Sequence, residues 1–186
     1  TINDTNYSES TLKMDFENWN QIYHTLCKSG FKMLELTKLV RPGRDDYRYI
    51  RIRHNNGDTL PLGAGAGGRI GNLLIHNPGD MTDYTALLDQ PLEQQYTGHL
   101  VNETYNYIYR QIGKIQLGSL ELEETQPGAR ESFERLCEFV LNKGLGDMHH
   151  GRLTLNMQGI FWGNNIANHY ADMLVQQASD NRRKTE

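Results

Sequence analysis

"LPLGAGAGGRIGN", Leu60–Asn72, is the densest glycine run in the chain, and Gly63, Gly65 and Gly68 spell GxGxxG. A dinucleotide fingerprint would need a buried strand before this run and a helix opening on its last glycine. It would also need an acidic residue about 20 positions on, at the end of a second strand. Here the preceding "TLPL" is short and holds Pro61, and the following "RIGNLLIHNPGD" is broken by Gly71 and by Pro78-Gly79. No helix of about ten residues fits. A P-loop is excluded more firmly, because no GK[ST] follows. Glycines still let a backbone take positive φ and pass close to a ligand, and their N–H groups can form an anion nest. The alternative is a purely structural turn.

Outward from the loop, "YRYIRIRH" alternates. That alternation predicts a strand with Tyr47, Tyr49, Arg51 and Arg53 on one face and Arg48, Ile50, Ile52 and His54 on the other. "NNGD" follows, and Asn56-Gly57 suits a hairpin turn that would return through "TLPL". Upstream, Leu12, Phe16, Trp19, Tyr23 and Leu26 recur at helical spacing, with Gly30 as the stop. "FKMLELTKLV" reads as a strand and "RPGRDD" as a loop. Downstream, "MTDYTALLDQ" and "VNETYNYIYRQIGKIQ" read as helices, the second with Tyr105, Ile108, Tyr109 and Ile112 on one side. "SLELEETQPG" is an acidic connector with a boundary at Pro127-Gly128. "ARESFERLCEFVLNKG" is an amphipathic helix closed by Gly144, "GLGDMHHGRLTLN" a tight hairpin, and "MQGIFWGNNIANHYADMLVQQA" a final helix.

The fold class expected is α+β: a small antiparallel hairpin or sheet region with helices, then a winged-helix-like subdomain. The expected divisions are a flexible start over 1–9, a helix, hairpin and glycine-loop region over 10–79, and a helical connector over 80–127. A winged-helix-like subdomain over 128–178 and a tail over 179–186 complete the chain.

Composition bounds the function. A chain of 186 residues with mean hydropathy −0.68 is one polar domain, or one plus a small subdomain. No apolar run approaches the roughly 20 residues that span a bilayer, and the first residues do not read as a signal peptide. Cys27 and Cys137 form no metal spacing and read as free thiols in a reducing cytoplasm. A net charge of −4 gives nucleic-acid binding no help. Winged helices often bind DNA, but here Asp147 sits in the hairpin and Glu131, Glu134 and Glu138 precede it. The last helix carries no basic row before Arg182.

Two stretches carry a resemblance. "YRYIRIRHNNGDTLPLGAGAGG" resembles the segment just after the catalytic barrel in radical S-adenosylmethionine enzymes related to oxygen-independent coproporphyrinogen III oxidase. Its "GAGG" is similar to the haem-utilisation branch, the anaerobic haem-degrading methyltransferases or anaerobilin synthases. "GRLTLNMQGIFWGNNIANHYADML" is similar to the C-terminal signature of that branch. The match covers roughly 20–178.

The resemblance implies S-adenosylmethionine and a [4Fe–4S] cluster in a full-length enzyme, and haem or a related tetrapyrrole as substrate. A cluster needs CxxxCxxC, and two distant cysteines cannot supply it. The chain therefore resembles only the C-terminal part of such an enzyme, partner to a missing N-terminal radical barrel, with no catalytic residue and no radical chemistry of its own. It implies that Gly63, Ala64, Gly65, Ala66, Gly67 and Gly68 lie along cofactor and substrate. Arg51, Arg53 and Arg69 are the candidates for haem propionates, since guanidinium pairs bidentately with carboxylate. Tyr49, Phe161 and Trp162 are the aromatic candidates against a porphyrin. His54 and His76 are candidate axial ligands, although no grouped metal site and no Ser-His-Asp or Cys-His arrangement can be argued. A stand-alone haem-binding or carrier module and a winged-helix DNA-binding protein are the alternatives.

Overall fold

A computed structural model describes residues 9–44, 47–91, 94–95 and 97–183. The polar start over 1–8, Asp45-Asp46 of the predicted loop and the last three residues of the predicted tail lie outside the described residues. The chain is α+β, with seven α-helices and eight short strands in three antiparallel sheets among the described residues. It divides into two units, one made of 47–113 and the other of 1–46 with 114–186. No described helix is long and apolar enough to cross a membrane.

The discontinuous unit opens with α1, Glu9–Lys28. Gly30 ends it as predicted: at φ +86 it lets the Phe31 N–H reach Leu26 O at 3.1 Å and its own N–H reach Cys27 O at 3.0 Å. "FKMLELTKLV" is not one strand but a hairpin of β1, Lys32–Glu35, and β2, Lys38–Val40. Its turn exists because Leu36 is buried, with its N–H on Gln116 O at 2.8 Å, and because buried Glu35 pairs with Lys38 across the turn.

The rest of this unit is built on α5, Arg130–Asn142, which buries Phe133, Leu136, Cys137 and Val140. Gly144 ends it in the same manner as Gly30 ends α1. The predicted hairpin forms as β7, Gly146–His149, and β8, Arg152–Leu155. The acidic connector supplies a third strand, β6, Ser119–Glu121, giving the order β6-β8-β7. The predicted final helix is two: α6, Met157–Phe161, and α7, Gly163–Arg183. The break lets Leu36 sit where a side chain on residue 163 would be; a Cβ there would lie 2.3 Å from Leu36 Cδ1. Helix α7 also runs through 179–183, where a tail was expected.

In the 47–113 unit, the predicted strand "YRYIRIRH" is helix α2, Arg48–His54. The Asn-Gly that reads as a hairpin turn is its cap. Asn56 takes φ +58, its N–H meets Arg53 O at 3.2 Å, and the Gly57 N–H meets Ile52 O at 2.8 Å. "TLPL" is no return strand; only Thr59 bridges, to Arg69. The glycine loop runs into β3, Gly67–Ile70, which turns at Gly71-Asn72 into β4, Leu73–His76. Helix α3, Met81–Leu88, is followed by the edge strand β5, Thr97–Leu100, and by α4, Glu103–Gln116.

The two units differ in what they bury. Of the eighteen buried apolar side chains among the described residues, Ile50, Ile75 and Tyr107 belong to 47–113. Four of the six buried polar ones, Arg69, Asn77, Asn106 and Gln111, do. The same unit leaves Leu62 82% and Leu100 79% exposed.

Candidate functional site

Four elements of the 47–113 unit enclose a cavity of about 350 Å³. Its floor is one face of the β3–β4 sheet. Gly67 opposes His76 and Arg69 opposes Leu74, and residues two apart on a strand share a face. Gly67 is required there, since a Cβ would come within 3.1 Å of His76 Cε1. Helix α2 contributes Tyr49 and Arg53, four residues apart and so on one side of the helix. Helix α4 contributes Tyr105 and Tyr109 by the same spacing, their rings stacked at 6.2 Å and 13°.

Two guanidinium groups line this cavity. Arg69 is only 6% exposed, yet its guanidinium meets neutral oxygens alone among the described residues. It donates to Gly71 O at 2.6 Å, Asn56 Oδ1 at 3.1 Å and Asn106 Oδ1 at 2.6 Å, with Asn72 Oδ1 at 3.5 Å. Arg53 donates from Nε to the Tyr109 hydroxyl at 3.0 Å. Among the described residues, no aspartate or glutamate lines the cavity. Two guanidinium groups beside aromatic faces favour a flat ligand with an anionic edge.

The fold has a solved counterpart. The chain is similar in structure to coproporphyrinogen III oxidase from Escherichia coli, a radical SAM enzyme, with a TM-score of 0.61 and 17% identity. The match covers 82% of this chain and 40% of that one, so the chain spans less than half of that protein's length. No family model matches the chain, and no curated protein matches it significantly in sequence.

An iron–sulfur cluster of the kind such enzymes use needs three thiolates. The chain has two cysteines, and burial pushes the Cys137 thiol up to about 11. Among the described residues no group of three His, Cys, Asp or Glu could hold a metal ion. The residues do not fit a cluster, and no chemistry below passes through one.

The glycine loop is tied to its own unit more than it is open to a ligand. The Gly63 N–H donates to the Tyr84 hydroxyl at 3.1 Å, the Gly65 N–H to Pro78 O at 2.7 Å, and the Ala66 N–H to Gly63 O at 3.3 Å. Asn77 bridges Pro61 O and Gly63 O from its amide nitrogen. Positive φ at Gly63 and Gly65 makes these bonds possible. Of the six loop residues from Gly63 to Gly68, Gly67 and Gly68 line the cavity, while Gly63, Ala64, Gly65 and Ala66 do not.

The structure brings together Tyr49, Arg53, Gly67, Gly68, Arg69 and His76. It leaves Arg51 out, because a helix turns Arg51 away from the Tyr49 side where a strand would have kept it there. His54 packs against the backbone at Gly113, whose ideal Cβ would lie 2.7 Å from His54 Cβ. Phe161 and Trp162 belong to the other unit, where Phe161 meets Phe16 edge-on at 5.3 Å and Trp19 at 5.5 Å. Sequence reasoning missed Tyr105, Tyr109 and the amide shell of Asn56, Asn72 and Asn106. The tyrosine pair stood out in the sequence only as part of one side of a helix; nothing in the sequence links the three asparagines to Arg69.

Proposed function

We propose that the chain is the C-terminal, cofactor- and substrate-covering portion of a radical SAM enzyme that acts on a tetrapyrrole. Its cavity over 47–113 receives the acidic edge of that substrate. The observation that carries the reading is a cavity with Arg53 at its wall and Arg69 in its floor beside Tyr49, Tyr105 and Tyr109, in a chain folded like part of coproporphyrinogen III oxidase. Arg53 is the direct partner of a propionate and Tyr49, Tyr105 and Tyr109 supply flat apolar contact. Arg69 sets the local potential from beneath, its donors being engaged by the asparagines. The haem-utilisation branch is the finer assignment, resting on the "GAGG" variant.

The test is titration of the chain with coproporphyrin III and with its tetramethyl ester, followed by porphyrin fluorescence. The free acid binds, the ester does not, and Arg53→Gln weakens the acid about tenfold, as expected for loss of one charge-assisted contact. Equal binding of acid and ester, or no effect of Arg53→Gln, overturns the reading. A stand-alone haem-binding module, resting on the same aromatic and cationic lining, is the second reading. The native mass in cells separates the two. A species more than twice 21.4 kDa supports a larger enzyme, and one near 21.4 kDa supports the module.

A further inference from the structure

The unit made of 1–46 and 114–186 has its own cavity, of about 500 Å³, where the C-terminal end of α5 meets the α6–α7 joint. Its walls are aromatic and aliphatic: Phe139 from α5, Trp162 at the joint, and Leu145 and Ile166. The His169 ring packs against Phe139 at 4.9 Å and closes one side. Lys143 is the one Lys, Arg, Asp or Glu on the lining, and it caps α5, where a cation suits the helix dipole.

The polar groups stand at the rim of this apolar floor: Lys143, Gln158 and Asn165 are exposed and, like the Trp162 indole N–H, have no protein hydrogen-bond or ion-pair partner among the described residues. An apolar floor with a few polar groups at its edge is the make-up of a small-molecule site.

We propose that this cavity binds a small planar aromatic acid, its rings between Trp162 and Phe139 and its carboxylate at Lys143 with the Gln158 or Asn165 amide. The volume holds two or three fused rings. The site is independent of the cavity over 47–113 and of the function proposed for it.

The chain has two tryptophans, so its NMR spectrum has two indole N–H resonances; Trp162→Phe assigns them. The probes are 2-naphthoate and its neutral analogue 2-naphthamide. Naphthoate shifts the Trp162 resonance saturably and leaves Trp19 in place. Naphthamide binds about fivefold more weakly, the usual effect of one exposed ion pair. Lys143→Gln, a surface change that leaves the melting temperature unaltered, removes the preference for the acid. Arg53→Gln leaves both titrations unchanged. The proposal is overturned by no saturable shift at Trp162, by an equal shift at Trp19, by equal affinity for the two probes, or by a preference that survives Lys143→Gln.

Discussion

Replacing Arg69 with methionine tests whether a buried cation without a carboxylate holds the 47–113 unit together. The side chain is 6% exposed, and the substitution keeps much of its apolar stem while deleting three well-formed charge-assisted hydrogen bonds, to Gly71 O, Asn56 Oδ1 and Asn106 Oδ1. Bonds to a charged group contribute about 1.5–3 kcal/mol each. Two terms reduce the sum. The Gly71 carbonyl can rehydrate, and the cost of burying the guanidinium disappears with it. Asn106, 3% exposed, keeps its amide donor on Asn72 but loses its strongest donor to Oδ1. The net loss is then about 3–5 kcal/mol, or a hundredfold to a few thousandfold in the opening equilibrium. Native-state hydrogen exchange at the β4 amides measures it directly. Trp19 and Trp162 both lie outside 47–113, so indole fluorescence serves as an internal control for the other unit. Arg69→Lys should recover little, because one ammonium cannot span three acceptors fixed in a fork. A loss under about 1 kcal/mol, or full rescue by lysine, would refute the reasoning.

The Asp80 carboxylate caps α3 by accepting from the Thr82 and Asp83 N–H groups, which hold its pKa below the ordinary 3.8. A folded value below the unfolded one makes the cap's contribution complete above pH about 4 and lost as pH falls through the folded value. Exchange protection of α3 should follow that window, and Asp80→Ala should abolish the dependence. Cys137 has its thiol pushed up to about 11, chiefly by burial and then by Glu134. Its neutral form is favoured in the fold, so this contribution is full below the free thiol's value near 9 and lost as pH rises towards 11. Thiol labelling at pH 8 should modify Cys137 no faster than the chain unfolds. Asn156 accepts from the Gly159 N–H and donates to Gly144 O, so Asn156→Ala should cost about 1–2 kcal/mol in denaturant unfolding.

What could be read from the sequence follows from which interactions are local. The stops at Gly30 and Gly144 and the β7–β8 hairpin rest on residues adjacent in the chain, and the reading of each holds. The misreading of 47–54 has a geometric cause. Residues four apart share a face in a strand and in a helix alike, so Tyr49 with Arg53 and Ile50 with His54 fit both. Positions two apart tell them apart: the helix turns Arg51 away from Tyr49 and leaves Ile52 exposed where Ile50 is buried. Asn56-Gly57 marks positive φ, which a helix cap and a hairpin turn use equally. The β3–β4 hairpin carried a usable sign, Gly71-Asn72 between apolar residues, but the glycine run before it masked the strand. Of the site, Arg53, Arg69 and Tyr49 were legible by residue type. The asparagine shell was not, because Asn56, Asn72 and Asn106 meet only through long-range folding.

The contrast in what the two units bury also bears on temperature. Exposing apolar surface raises the heat capacity of unfolding and exposing polar groups lowers it. A body that buries Arg69, Asn77, Asn106 and Gln111 against three apolar residues therefore unfolds with a small heat-capacity change. Its stability curve is flat. The fifteen buried apolar residues of the other unit give a strongly arched one, weakened by cold as well as by heat. The smaller unit, which carries the arginine cavity, should thus keep a steadier margin across the range over which the larger one rises and falls.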